Sequence, residues 1–237
     1  MARAPYKILS FDSPDELALA AAANWLTSIL VTPGDDPISI ALPGGRITTS
    51  FLAAITSHVT AKGLPLDRVH FYWGDERCVP PDSKDSNYRL AFNQLFDPLQ
   101  INPANVHRIK GEMDPGDATT EASKDVRDTV PMKNGQPVFD WIILGMGEDG
   151  HTASLFPEES EADRNRTAVY RPVTTTKPPP QRITLGYPAI AAAKNVWVLA
   201  SGSGKETALR ESIVEGGTTP LARVLQSRDE TLIYTDI

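Results

Sequence analysis

Phe139-Asp140-Trp141-Ile142-Ile143-Leu144-Gly145-Met146-Gly147-Glu148-Asp149-Gly150-His151 decides the fold class. Its first half is a short apolar run without polar alternation, the pattern of a strand buried on both faces. Its second half breaks into glycines, acids and a histidine. The same grammar recurs outward along the chain. Ile38–Leu42 runs into Pro43-Gly44-Gly45-Arg46, Val69–Trp73 into Gly74-Asp75-Glu76-Arg77, and Val196–Ala200 into Gly202-Ser203-Gly204-Lys205. Helical sequence follows these three turns, over Thr48–Val59, Ser86–Phe96 and Glu206–Ile213. Upstream, Tyr6–Phe11 reads as a strand. Ser13-Pro14-Asp15-Glu16 then supplies an N-cap, a proline at the first helical position and early negative charge. The Ala-rich stretch continues as a helix to Leu30, where Pro33-Gly34-Asp35-Asp36-Pro37 stops it. Apolar strands alternating with helices predict a mainly parallel sheet with helices on both faces, a three-layer α/β fold. Gly111–Gln136 is polar and Lys177-Pro178-Pro179-Pro180 is a stiff loop. Neither is long enough to separate domains, so residues 1–237 are expected to form one domain.

Composition agrees. In 237 residues, 41% apolar and 22% charged side chains supply both a core and a solvated surface. No run approaches the ~18 apolar residues of a membrane span. Met1–Lys7 lacks an apolar stretch before a cleavage site, so a cytoplasmic protein is expected. The single cysteine, Cys78, excludes an intramolecular disulfide and reads as a packing residue. A net charge of −7 without clustered Lys or Arg argues against nucleic-acid binding. A small anionic substrate is compatible, because a few inward-facing arginines outvote the global field locally.

In an open α/β sheet, ligands bind beyond the carboxyl ends of the strands. Those ends carry the polar residues that need explaining. Gly44-Gly45-Arg46 is either an ordinary tight turn or a loop that brings backbone close to an anion at a helix N-terminus. Asp75-Glu76-Arg77 is either a solvated ion-pair cluster or the place where Arg77 grips a phosphate. Gly145 to Gly150 has the form G-x-G-x-x-G, but Glu148 and Asp149 would put negative charge where a dinucleotide pyrophosphate lies. Gly202 to Lys205 fails as a P-loop, with Glu206 at the Ser/Thr position, yet Lys205 can still reach an anion. His151 is the strongest catalytic candidate. It sits in a glycine-rich loop, and Asp149 two residues away is placed to orient its ring and raise its basicity. His58, His70 and His107 lie in helix, strand and edge contexts and read as structural. There is no Cys pair, and no His-x-x-x-His or His-x-x-Glu-His spacing, so no metal site is expected.

Taken together, these segments resemble the 6-phosphogluconolactonase family. The resemblance rests on Asp75-Glu76-Arg77-Cys78-Val79-Pro80, Asp85-Ser86-Asn87-Tyr88, the whole run Gly145–Pro157, Lys177–Thr184 and Gly204-Lys205. It implies a fold similar to glucosamine-6-phosphate deaminases. It also implies hydrolysis of 6-phospho-D-glucono-1,5-lactone to 6-phospho-D-gluconate in the oxidative pentose phosphate pathway, without metal or organic cofactor. On that resemblance His151 is the base and Asp149 its orienting partner. Arg77 and Lys205, helped by Gly44, Gly45 and Arg46, hold the phosphate, with Asp75 and Arg182 as further substrate-site candidates. The family usually continues the Gly-Gly loop with Ser/Arg-Thr-Pro. Here Arg46 precedes Ile47-Thr48-Thr49, so the phosphate-facing hydroxyl is displaced or comes from Thr48. Two alternatives stand beside this reading. An amino-sugar-phosphate deaminase would carry a glutamate before the proline after Asp-Gly-His, and Thr152–Phe156 has no carboxylate. A non-catalytic sugar-phosphate sensor would have no use for His151 and Asp149.

Overall fold

Strands that are apolar on both faces have to line up in the interior, and here they do. The computed structural model describes residues 5–237. Met1–Ala4, which carry part of the reading of a leaderless start, lie outside the described residues. The order is β1 (Lys7–Ser10), α1 (Pro14–Val31), β2 (Ile38–Leu42), α2 (Arg46–Lys62), β3 (Val69–Trp73), β4 (Asp75–Arg77), α3 (Asn87–Ala91) and α4 (Pro115–Thr129). It continues with β5 (Met132–Lys133), β6 (Gln136–Pro137), β7 (Trp141–Gly145), α5 (Glu161–Arg164), β8 (Tyr170–Thr174), β9 (Gln181–Leu185), α6 (Tyr187–Ala192), β10 (Asn195–Ala200), α7 (Glu206–Ile213), α8 (Pro220–Gln226) and β11 (Leu232–Thr235).

Six strands form one sheet in the order β1-β11-β10-β7-β2-β3, every neighbour parallel. α1 packs on α2, and α8 on α6 and α7; right-handed crossovers running in opposite directions along the sheet place the two groups on opposite faces. The expected three layers are therefore present. Sequence dictates the ends of α1: Ser13 Oγ accepts from the Glu16 N–H, and Pro14 opens the helix. Leu17, Ala21, Trp25 and Ile29 recur at helical spacing and are buried. Each large apolar side chain of that stripe contributes roughly 1.5–3 kcal/mol by leaving water.

The topology fixes where a ligand goes. From β2 the chain crosses to β3 on one side, whereas β7 leads to β10 on the other. The switch point lies between β2 and β7, and the loops after those two strands flank a crevice there. Gly44 and Gly145 face each other across it, close enough that a Cβ on Gly145 would lie 3.5 Å from the Gly44 carbonyl.

Three features depart from the sequence reading. Asp75-Glu76-Arg77 is a strand, not a loop: β4 pairs antiparallel with β9, which pairs with β8, in a second small sheet. The polar segment Gly111–Gln136 contains α4, whose buried face is only Ala118, Ser123 and Val126, too little apolar surface to register as a periodic stripe. The helix expected over Ser86–Phe96 is α3 followed by a π-helical turn over Phe92–Phe96.

Candidate active site

His151 closes the loop that follows β7. The loop is pinned by its own backbone, with the Gly147 N–H donating to the His151 carbonyl at 2.8 Å and the Gly150 N–H to the Gly147 carbonyl at 3.0 Å. Gly150 takes a positive φ of 76°, and Thr219 lies so close that a Cβ there would sit 2.8 Å from it. Within this turn Asp149 Oδ1 accepts from the His151 N–H at 3.2 Å and meets Nδ1 at 2.5 Å. The Asp149 carboxylate thus fixes the proton on Nδ1. Nε2 has no partner among the described residues, and the ring lines the crevice.

Lys177, from the loop between β8 and β9, adds a contact that the sequence reading did not contain. Its Nζ donates to Asp149 Oδ2 and lies 3.3 Å from His151 Nδ1. Burial alone would raise the Asp149 carboxyl, but the Lys177 ammonium and the His151 N–H outweigh it and hold the group well below the usual carboxylate range. For His151 the expectation reverses. Burial pulls the imidazole below its ordinary value and Lys177 reinforces that, against the opposing pull of Asp149 and Asp75. The sequence showed the neighbouring carboxylate but not the desolvation.

Asp75 and Glu76 are buried, so the solvated ion-pair reading of this segment does not hold. Asp75 Oδ2 accepts from Ser154 Oγ at 2.6 Å, joining β4 to the histidine loop. Glu76 is the anchor of α3. Its oxygens accept from the Arg77, Asn87 and Tyr88 N–H groups at 2.7–2.8 Å and from Ser86 Oγ at 3.0 Å. Burial raises the Glu76 carboxyl, and the backbone donors oppose that shift. Glu76→Ala would strand these donors in the interior. We expect it to cost roughly 3–5 kcal/mol, read as a lower denaturant midpoint with little change in kcat for the molecules that remain folded.

Asn87, from the Asp-Ser-Asn-Tyr motif, is a site-building residue that sequence reasoning left unassigned. Its Nδ2 donates to the Asp75 carbonyl at 2.9 Å, and its Oδ1 fills the space where a Cβ on Gly44 would stand, 2.1 Å away. Gly44 is thus a glycine because Asn87 needs that room.

Arg46, Arg77, Arg182 and Lys205 all line the crevice, as do Gly44, Gly45 and Asp75. Arg77 Nη1 is tied to the Asp85 carbonyl at 2.7 Å, while its buried Nε has no partner. Burial lowers the Lys205 ammonium, with Arg46 adding to the effect. Arg182 braces the Pro-rich loop through the carbonyls of Pro179 at 3.0 Å and Pro178 at 3.1 Å, besides lining the crevice. Thr48 is not on that wall. Its side chain is buried and its hydroxyl donates to the Gly44 carbonyl at 2.8 Å, so Ile47 faces the crevice instead.

A larger groove of about 640 Å³ lies away from the strand ends, beside Tyr88, Phe92 and His107. Its cations are spent on acids, in the pairs Arg108–Glu112, Lys110–Glu121 and His107–Asp125. Among the described residues, cations without an ion-pair partner and a free imidazole nitrogen converge only in the crevice between β2 and β7. That arrangement can bind an anion and take a proton from water beside it.

Known proteins resemble this chain in sequence and in fold. Residues 12–234 match the family model described as glucosamine-6-phosphate isomerases/6-phosphogluconolactonase. A 6-phosphogluconolactonase of Haemophilus influenzae is 35% identical over 206 residues, covering 84% of this chain and 85% of that protein. The solved 6-phosphogluconolactonase of Trypanosoma brucei superposes with a TM-score of 0.84 at 29% identity, covering 97% of this chain and 95% of that one. A monomeric glucosamine-6-phosphate deaminase shares the fold, with a TM-score of 0.81 at 18% identity over 97% of each chain.

Proposed function

The chain belongs to the glucosamine-6-phosphate isomerase/6-phosphogluconolactonase family, and on that premise we infer that it hydrolyses 6-phospho-D-glucono-1,5-lactone to 6-phospho-D-gluconate, with His151 as the base. One observation carries the reading: Nδ1 of His151 is committed to Asp149 while Nε2 is free in a crevice lined by four cationic side chains. A lactone is an activated ester, so a positioned base suffices and no covalent nucleophile is needed.

The chemistry follows from that geometry. Arg77 and Lys205, with Arg46 and the Gly44-Gly45 backbone, hold the phosphate and place C1 near Nε2. Only one Arg77 N–H is spent, by Nη1 on the Asp85 carbonyl, which leaves other guanidinium donors for such an anion. Nε2 takes a proton from water as the oxygen adds to C1. Collapse of the tetrahedral intermediate breaks the C1–ring oxygen bond, and the imidazolium returns its proton to the departing ring oxygen. Asp149 fixes the tautomer throughout.

The deaminase alternative needs a glutamate in the segment after His151 to assist ring opening. The first ones after His151 are Glu158 and Glu159. Glu159 is spent on a buried pair with Arg171 at 2.7 Å, and Glu158 faces Thr175 Oγ1 at 3.5 Å. A stopped assay on freshly made lactone, corrected for spontaneous opening, tests the activity. Catalysis should exceed the blank, whereas calorimetric binding of 6-phosphogluconate without turnover would favour the sensor.

Arg77→Ala separates phosphate binding from chemistry. A charge-assisted contact is worth about 1.5–3 kcal/mol. The variant should therefore lose roughly 10–100-fold more in kcat/KM on the phosphorylated lactone than on unphosphorylated gluconolactone. Equal losses on both substrates would assign Arg77 to the scaffold.

A further inference from the structure

Lys177 touches the catalytic pair at Asp149 Oδ2 and His151 Nδ1 without lining the crevice, and the hydrolysis gives it no task. Its side chain is 42% exposed, yet its ammonium is paired with Asp149. It donates to Asp149 Oδ2, approaches His151 Nδ1 to 3.3 Å and lies 5.5 Å over the Phe156 ring. The backbone beneath it is built to hold that pose. The Thr175 N–H donates to the Pro180 carbonyl at 2.9 Å, the Lys177 N–H donates to Thr175 Oγ1 at 3.3 Å, and Arg182 clamps the carbonyls of Pro178 and Pro179. A solvated surface lysine needs none of this. The two Asp149 oxygens are divided, one to the imidazole and one to the ammonium.

We propose that Lys177 is a positioning residue for the lactone hydrolysis: it counterbalances Asp149, so that the carboxylate orients His151 without turning it into a permanent cation, and Nε2 stays a free base while an anionic substrate is bound. The proposal rests on the general-base reading of His151.

Its logic is electrostatic. A carboxylate hydrogen-bonded to Nδ1 favours the imidazolium, and a phosphate dianion arriving in the same crevice adds to that bias. Protonated His151 cannot accept a proton from water. The groups facing His151 are Asp149 from its own loop, Asp75 from β4, Lys177 from the β8–β9 loop, and the crevice cations Arg46, Arg77, Arg182 and Lys205. Bound phosphate offsets the crevice cations, which leaves Lys177 as the counter-charge to Asp149. The same ammonium destabilises the transient imidazolium, and so favours passing its proton on to the departing ring oxygen.

The test compares Lys177→Met and Lys177→Gln with Lys177→Arg. It reads the pH dependence of kcat and KM on the phosphorylated lactone, and the His151 ring titration in the free enzyme by NMR. In the neutral variants the imidazole should titrate about one pH unit or more higher, carrying the acid limb of kcat with it. At neutral pH kcat should fall several-fold and recover as pH rises, with KM little changed. Lys177→Arg should titrate like the wild type. A wild-type titration and acid limb in both neutral variants would overturn the role of Lys177, whatever the activity lost. Failure of the base reading looks different: the acid limb would then not track the His151 titration even in the wild type.

Discussion

His151→Ala is expected to lower kcat by about 10²–10⁴, the usual contribution of a positioned base, in a protein that stays folded and still binds 6-phosphogluconate. Folding should survive because the ring faces a crevice and its loop is held by other contacts, including the Gly147–His151 backbone bond and Thr152 Oγ1 on the Gly145 carbonyl. Binding should survive because the phosphate donors lie on other strand ends. The pH dependence has a definite sign. The neutral imidazole is the active form, so kcat/KM falls as pH drops through its pKa. Because burial lowers that value from the ordinary one, the acid limb lies below pH ~6.5. His151→Asn should behave like His151→Ala, since an amide can replace a hydrogen bond but not a base. A well-folded variant of either kind with wild-type kcat would sink the mechanism. So would a stability loss large enough to account for all the missing activity.

Gly147→Ala should be nearly as damaging, without removing any functional group. A Cβ on Gly147 would stand 2.0 Å from His151 Nδ1, 2.1 Å from its Cε1 and 2.8 Å from Asp149 Oδ1. No atom pair tolerates such a distance, so the ring and carboxylate must move apart. Misplacing a reacting group by about 1 Å costs on the order of 10²-fold in rate, and we expect kcat to fall by at least that much. Overpacking should cost about 1–3 kcal/mol of stability. The double variant Gly147→Ala/His151→Ala discriminates steric from backbone effects. Deleting the ring removes most of the clash, so stability should recover while activity does not. Wild-type kcat in Gly147→Ala would show that the Asp149–His151 contact is dispensable. Unrecovered stability in the double variant would place the damage in the backbone.

Much of the fold could be read locally. Ile38–Leu42 and Val69–Trp73 are β2 and β3 to the residue, because an apolar run bounded by turn residues has one good place to go, the middle of a parallel sheet. Ser13-Pro14 sets the start of α1 through a bond to a residue three positions on. His151 and Asp149 stood out for the same reason: two residues apart in a glycine loop, they have to meet. These signals survive in the sequence because the partners are neighbours in the chain.

Tertiary structure alone decided the rest. Asp75-Glu76-Arg77 carries no strand signal and becomes β4 only because Arg182–Thr184, far along the chain, offers it hydrogen bonds. Thr48 sits where a phosphate-facing hydroxyl was expected, yet the helical geometry of α2 aims it back at Gly44. Lys177 is a lysine in a Pro-rich loop until β8 and β9 carry it to Asp149. The protonation of His151 turns on the same difference. The sequence determined which carboxylate touches the ring. Burial and the distant ammonium, which exist only once the chain has folded, decided that the ring titrates below its ordinary value rather than above it.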